Sequence, residues 1–262
     1  MTTRQLAIIG GTGLTRLETL TITRREMVPT PFGETSSPIV HGELAGYPVI
    51  FMPRHGHAHT IPPHRVNYRA NIWALKHLGV SHVIAVAAVG GITPAMMPER
   101  LAIPDQIIDY TWSRHHTFFE SILDQVVHID FTYPYCEPLR QHLLAAAEQA
   151  GLDIGREATY GATQGPRLET AAEIRRMERD GCDLVGMTGM PEAALARELE
   201  LCYATCAVVV NWAAGKSEDG GVITMDQIQQ HLSGGMDKVR TLLQHAIPQV
   251  LGDTGQGASS SR

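Results

Sequence analysis

Cysteine is scarce: the 262 residues contain four, at 136, 182, 202 and 206. They form no CxxC pair and no HxxxH accompanies them, so their spacing offers neither a zinc site nor a disulfide framework. The expectation is a reduced, cytoplasmic compartment. Long apolar runs are also missing. No stretch approaches the ~18 residues a membrane helix requires, and the opening MTTRQLAIIGG lacks a signal-type apolar core. A cytosolic protein without a membrane partner is expected. Positive charge is not in excess: 21 Lys and Arg against 27 Asp and Glu give a formal charge of −6, which removes the electrostatic case for nucleic acid. There is no internal repeat and no interdomain linker.

What is present is apolar residue in quantity, 44% against 18% charged, enough to bury one large α/β core over residues 1–251. The low-complexity end GDTGQGASSSR, 252–262, is expected to be disordered.

Several short apolar runs end in polar or glycine-rich turns. Leu6–Ile9 runs into Gly10-Gly11-Thr12-Gly13, a tight turn whose amides and Thr12 hydroxyl can hold an anion. It is not the dinucleotide fingerprint, because Arg16 stands where the third glycine belongs. Val40–Leu44 and Val49–Met52 read as a hairpin around Ala45-Gly46, and the second strand delivers Arg54, His55, His57 and His59. A guanidinium pairs bidentately with an oxyanion. The histidines could suggest a metal, but no carboxylate accompanies them and alternate residues of an extended chain point to opposite faces. The reading is therefore no metal.

Val66–Leu78 reads as a helix, and Val83–Val89 as a strand buried on both faces, ending at Gly90-Gly91. Ile103–Tyr110 reads as another strand. Residues 111–135 are irregular and rich in histidine and aromatics, which suits a functional loop, an interface or simply a packed lid. Glu137–Ala150 is an amphipathic helix and Thr159–Thr163 a strand. Thr170 with Glu173 forms a capping box for a helix closing at Gly181. Asp183–Met187 reads as a brief buried strand, Pro191 suits the first turn of a helix over Glu192–Leu199, Ala204–Val210 is a last strand, and Thr224–Leu251 is mainly helical.

Thr12, Arg54-His55, Glu169 with Met187-Thr188, and Asn211 thus stand at or near strand ends, where open α/β sheets bind ligands. Ordinary βα connections with solvated charges would satisfy the same pattern. By chemistry, Thr12, Arg54, His55 and Thr188 are donors suited to phosphate, whereas Glu169 and Asn211 suit a heterocycle with both N–H and C=O edges.

GGTGL at 10–14, RHGHAHTIPPHRVNYRANIWALK at 54–76, and GPRLETAAE with MTGMPEAALARE within 165–198 resemble the trimeric purine nucleoside phosphorylase superfamily, nearest its methylthioadenosine phosphorylase branch. The resemblance covers nearly all of the chain from 7 to about 250. It implies a single-domain α/β nucleoside phosphorylase fold, with a mixed, partly barrel-like sheet flanked by helices, and a homotrimer. It also implies reversible phosphorolysis of a purine nucleoside through an oxocarbenium-like transition state. Inorganic phosphate is then a co-substrate, and no metal or organic cofactor is called for. Thr12, Arg54, His55 and Thr188 would hold phosphate, with backbone amides around Ala88 supplementing them because Ala87 replaces a threonine of that branch. Met187 would pack against the sugar, and Leu168 stands where the family has a phenylalanine beside the base. His128 matches a histidine that a neighbouring subunit presents near the 5′ substituent.

The departures concern the base. Where enzymes of that branch acting on 6-aminopurines carry a serine and two aspartates, this chain has Glu169, Asn211 and Ala213, matching phosphorylases that cleave inosine and guanosine. Glu169 can accept from the N1–H of hypoxanthine. The Asn211 amide can donate to O6, and its carbonyl can accept a proton at N7. Adenine would turn a bare N1 lone pair toward Glu169, a mismatch worth ~10⁴ in discrimination. Ile223, Met225 and Ile228 would line an apolar 5′ pocket for a methylthio group, and His231 is the one candidate in this region for meeting a free 5′-hydroxyl. The combination predicts 5′-methylthioinosine as substrate. Methylthioadenosine, or inosine and guanosine, are the alternatives within the family. A dinucleotide-dependent oxidoreductase and a non-catalytic purine-binding protein are the alternatives outside it.

Overall fold

The computed structural model describes residues 4–14, 17–120, 126–217 and 222–252. Apart from Gly252, the tail expected to be disordered lies outside these residues.

Among the described residues, eleven strands form one mixed sheet. The strands are β1 (Leu6–Gly10), β2 (Thr21–Glu26), β3 (Ile39–Leu44), β4 (Tyr47–Pro53), β5 (His82–Gly91), β6 (Leu101–Ala102), β7 (Gln106–Asp109), β8 (Ile154–Gly155), β9 (Thr159–Ala162), β10 (Leu184–Gly186) and β11 (Cys202–Trp212). The helices are α1 (Tyr68–His77), α2 (Glu137–Gln149), α3 (Ala171–Arg179), α4 (Gly189–Glu198) and α5 (Met225–Gly252).

The two sheet faces explain the continuous apolar runs of β1, β5 and β11. Leu6, Ile8, Ile84, Val86, Ala204 and Val208 pack with Leu139, Leu143, Val239 and Leu242 of α2 and α5. Ala7, Ile9, Val83, Ala85, Ala207 and Val209 pack on the other face with Ile72 and Leu75 of α1 and Leu195 of α4. Alternate residues feed alternate layers, so each strand is apolar throughout. Among the described residues no helix is long and apolar enough to cross a membrane.

The sheet divides at β5. On one edge, its first half pairs in parallel with β1, the ladder ending at Ile9 opposite Ala85. The same edge is taken up again only at Gly90 and Gly91, by antiparallel β10. β11 follows the whole of the other edge. Between Ala85 and Gly90, β5 therefore offers an open edge where β1 ends and β10 begins.

The hairpin, the capping box and the helices after 66, 137 and 224 are as the sequence predicts, within a residue or two. The box is complete: the Glu173 amide donates to Thr170 Oγ1 at 3.1 Å, and the Thr170 amide donates to Glu173 Oε2 at 2.7 Å. α4 includes a non-helical Met190, after which Pro191 opens the regular turns.

Three expectations need correction. The strand expected over Ile103–Tyr110 is shorter, β7 alone, and is parted from β6 at Leu101–Ala102 by Pro104, which has no N–H to give a ladder. Its carbonyl instead accepts from Arg140 Nε at 2.9 Å. β2 was not expected, because its residues are nearly all exposed and show no alternation. Finally, Cys136 and Cys202 form a disulfide. Cys136 precedes α2 and Cys202 opens β11, 66 residues later, with the Cys136 amide donating to the Tyr203 carbonyl at 2.8 Å. Spacing could not reveal a pair made by tertiary contact. Cys182 and Cys206 are free and buried.

Candidate active site

The open edge of β5 is the floor of a cavity of about 370 Å³, and Ala87, Ala88, Val89 and Gly90 line it. Around that floor the structure assembles Thr12, Arg54, His55, Leu168, Glu169, Met187, Thr188, Asn211, Ile223 and Ile228. Residues up to 216 positions apart in sequence are thus brought to one place by strands that end together.

Arg54 leaves the end of β4 and is 1% exposed. Its guanidinium grips Glu192 bidentately, Nε to Oε2 and Nη2 to Oε1, both at 2.7 Å. Nη1 donates to the Val86 carbonyl at 2.9 Å, on the open β5 edge. Tyr203 donates its hydroxyl to Glu192 Oε1 at 2.8 Å. Burial opposes the charged form of Arg54, but the Glu192 carboxylate outweighs it and holds the guanidinium protonated above its ordinary range. Each terminal nitrogen keeps a further N–H for a ligand. The glycine turn packs directly on this arrangement: a Cβ on Gly11 would stand 2.5 Å from the Val86 carbonyl oxygen and 3.0 Å from Arg54 Nη1. Only glycine permits that approach.

His55 is buried, and its Nδ1 donates to the Ile61 carbonyl at 2.8 Å. Burial, then the neighbouring Arg54 charge, lowers its pKa to about 4. Near neutrality its Nε2 is therefore an acceptor. The ring stacks on His59 at 4.9 Å, and His59 Nε2 lies 3.2 Å from Thr12 Oγ1. Thr188, 7% exposed, stands at the N-terminus of α4. Thr12, Arg54 and Thr188 thus gather on one side of the cavity as donors, whereas His55, expected to donate there, has its one N–H committed to Ile61.

The other side carries Glu169 and Asn211. Thr163 Oγ1 donates to Glu169 Oε1 at 2.6 Å, fixing a partly buried carboxylate. Asn211 owes its position to an irregularity: the β11–β5 register shifts between Val209 and Asn211. Because of this bulge, Val210 and Asn211 both line the cavity, which strict alternation forbids. Asn211 Nδ2 donates to the Trp212 carbonyl at 2.7 Å and keeps a second N–H and its carbonyl oxygen. Ala213 also lines this side.

Met187, Ile223 and Ile228 add an apolar margin, and Leu168 lies at the rim, 42% exposed. Met225 and His128 are exposed and do not line the cavity. His231 also lies outside it, in a neighbouring depression, with Nδ1 3.1 Å from Glu99 Oε1. Glu192 escaped the sequence reading. It sits inside the PEAALARE run as an ordinary helix glutamate would, and nothing local marks it as the partner of Arg54. Among the described residues, no group of three or more His, Cys, Asp or Glu could hold a metal ion.

The sheet of this α/β protein thus opens at its strand ends into a cavity with hydrogen-bond donors on one wall and a carboxylate and an amide on the other. The chain belongs to the phosphorylase superfamily, whose family model matches residues 5–248. It is similar to the protein named Probable S-methyl-5′-thioinosine phosphorylase of Pseudomonas syringae pv. tomato, with 57% identity over 92% of this chain and 97% of that one. It is also similar to the 6-oxopurine nucleoside phosphorylase of Pyrococcus furiosus, with 46% identity over 94% and 93%. Among solved structures, methylthioadenosine phosphorylase from Schistosoma mansoni in complex with adenine matches with a TM-score of 0.90 and 33% identity, covering 95% of this chain and 93% of that one.

Proposed function

We propose that this phosphorylase is a pentosyltransferase that cleaves 5′-methylthioinosine with inorganic phosphate, giving hypoxanthine and 5-methylthioribose 1-phosphate. The observation that carries this reading is that Glu169 and Asn211 share one cavity with Ile223 and Ile228. A 6-oxopurine offers N1–H to the Glu169 carboxylate and O6 to the Asn211 amide. An apolar 5′ substituent suits the isoleucines, and His231, engaged with Glu99 outside the cavity, is not there to meet a 5′-hydroxyl.

In the reaction, a phosphate oxygen bonds to C1′ as the C1′–N9 bond breaks and its electron pair passes into the purine. Arg54, Thr12 and Thr188 donate to the phosphate oxygens, aided by amides near Ala88, while His55 lies beside them. Asn211 accepts from protonated N7 and so stabilises the leaving base as charge develops. Glu169, steadied by Thr163, fixes the base by N1–H. Met187 lies along the sugar and Leu168 beside the base. No cofactor enters the chemistry.

The reading includes a catalytic domain over 1–251, a homotrimer, a role in purine salvage and a cytoplasmic location. His128, exposed and outside its own cavity, would reach the 5′ end of a neighbour's substrate. The Cys136–Cys202 disulfide removes the cysteine argument for a reducing compartment.

The test is phosphate-dependent base release from methylthioinosine, methylthioadenosine, inosine and adenosine in parallel. The expected result is a kcat/KM for methylthioinosine at least about tenfold above each of the others. Methylthioadenosine cleaved best would overturn the Glu169/Asn211 reading, and inosine cleaved equally well would overturn the 5′ reading.

A further inference from the structure

Arg114 follows β7 and does not line the cavity, yet its guanidinium is engaged with the cavity's walls. Nη1 donates to the Met187 carbonyl at 2.9 Å and the Met190 carbonyl at 2.6 Å. Nη2 donates to the Thr163 carbonyl at 3.1 Å and the Gln164 carbonyl at 2.8 Å, and Nε to Gln164 Oε1 at 3.1 Å. The planar cation also lies over the Tyr68 ring, 5.5 Å from its centre.

The four carbonyls come from two different connections. Thr163 and Gln164 follow β9 and lead to Glu169, whose carboxylate Thr163 itself holds. Met187 and Met190 follow β10 and flank Thr188. At their roots the connections touch through the Thr163 amide, which donates to the Gly186 carbonyl at 2.8 Å. Beyond that point Arg114 ties them together. Convergent carbonyls on two loops need a rigid fork of donors, which guanidinium supplies and an ammonium does not.

We propose that Arg114 is a positioning residue that fixes the base-reading wall against the wall carrying Met187 and Thr188. It thereby governs ligands that span both walls and not those that touch one. The proposal rests on the roles given above to Glu169, Met187 and Thr188. A nucleoside spans both walls. Hypoxanthine alone meets the first, and phosphate alone meets the second. A misplacement of about 1 Å costs on the order of 10² in rate when it separates groups that must act on one substrate.

The test compares Arg114→Met with the unaltered protein, using whichever of the four nucleosides the latter cleaves fastest. Failure of the methylthioinosine assignment would appear in the unaltered protein's own preference and leave this comparison intact. The nucleoside kcat/KM should fall by about 10², while the Kd values of the purine base that this nucleoside releases and of phosphate, measured separately by calorimetry, should shift by less than about threefold. The active fraction is taken from the calorimetric stoichiometry and kcat/KM is referred to it, so that partial loss of fold does not produce this split. If the nucleoside loss does not exceed both single-ligand losses by about tenfold, the proposal is overturned. Arg114→Lys, which keeps the charge and loses the fork, is read by the same criterion if the methionine variant does not fold. Failure of both to fold would make Arg114 a folding residue and overturn the proposal as well.

Discussion

Two glutamates at this site have opposite work because of what surrounds them. Glu169 is partly open and held by one hydroxyl, so it has lone pairs to offer a base. Glu192 is 1% exposed and fully occupied by Arg54 and Tyr203, so it offers a ligand nothing and instead aims the guanidinium. Removing one partner of a buried pair leaves the other charge uncompensated, at a cost of ~3–5 kcal/mol. Glu192→Gln should therefore lower the unfolding free energy by about 3 kcal/mol in urea titrations and raise the KM for phosphate more than that for the nucleoside. An unchanged phosphate KM would separate the pair from phosphate binding. On the base side, Asn211→Asp with Ala213→Asp replaces an amide by groups that accept from a 6-amino group. The ratio of methylthioadenosine to methylthioinosine cleavage should rise, by at least about tenfold. An unchanged ratio in competing-substrate assays would remove Asn211 from base discrimination.

At the scale of elements, the site is a product of two interruptions in regular structure. The first is the gap on the β5 edge between the β1 and β10 ladders, which leaves 86–89 unpaired there and opens 87–89 to the cavity. The second is the bulge at Val210 that turns Asn211 inward. Neither leaves a trace in the sequence, since Val83–Val89 and Ala204–Val210 read as uniform buried strands whichever edges are paired. The strand ends were legible, because an apolar run stopping at Gly10-Gly11 or Pro53-Arg54 announces its own end, and so was the α3 capping box, whose signal is local. Arg54's partner and the Cys136–Cys202 bond depend on contacts between distant segments, and local pattern could not supply them, whereas the break at Pro104 has a local cause in the missing N–H. α5 adds one consequence of its own. Ile228, in its first turns, faces the cavity, whereas His231, three residues on, is drawn off to Glu99. Ile228→His should place a hydrogen-bonding group in the part of the cavity proposed to take the 5′ substituent. The ratio of inosine to methylthioinosine kcat/KM should rise by about tenfold or more, the range a single contact in an apolar pocket commands. An unmoved ratio would locate the 5′ end elsewhere.

For the molecule as a whole, burial of two histidines links stability to pH. His55 and His82 both have pKa values lowered to about 4. Burial is the main cause in each case, followed by Arg54 for His55 and by Arg4 and His142 for His82. The unfolded chain takes up these protons near pH ~6.5, the ordinary histidine value. Between that pH and about 4 the unfolded state thus binds more protons than the folded state, and the unfolding free energy decreases as pH falls. The contribution is complete above ~6.5 and is lost progressively toward the folded-state values. One proton's worth of slope is at most ~1.4 kcal/mol per pH unit, and less for His82, which retains some exposure. The two sites are separable, because His55 lines the cavity and His82 opens β5 at the opposite end of the strand. His82→Gln should flatten the decline of the urea midpoint between pH 6.5 and 4.5 while leaving kcat/KM at neutral pH unchanged. A decline as steep as in the unaltered protein would mean that His82 is not protonated on unfolding in this range and that the acid sensitivity of the fold belongs to other groups, His55 and the burial-lowered His41 among them.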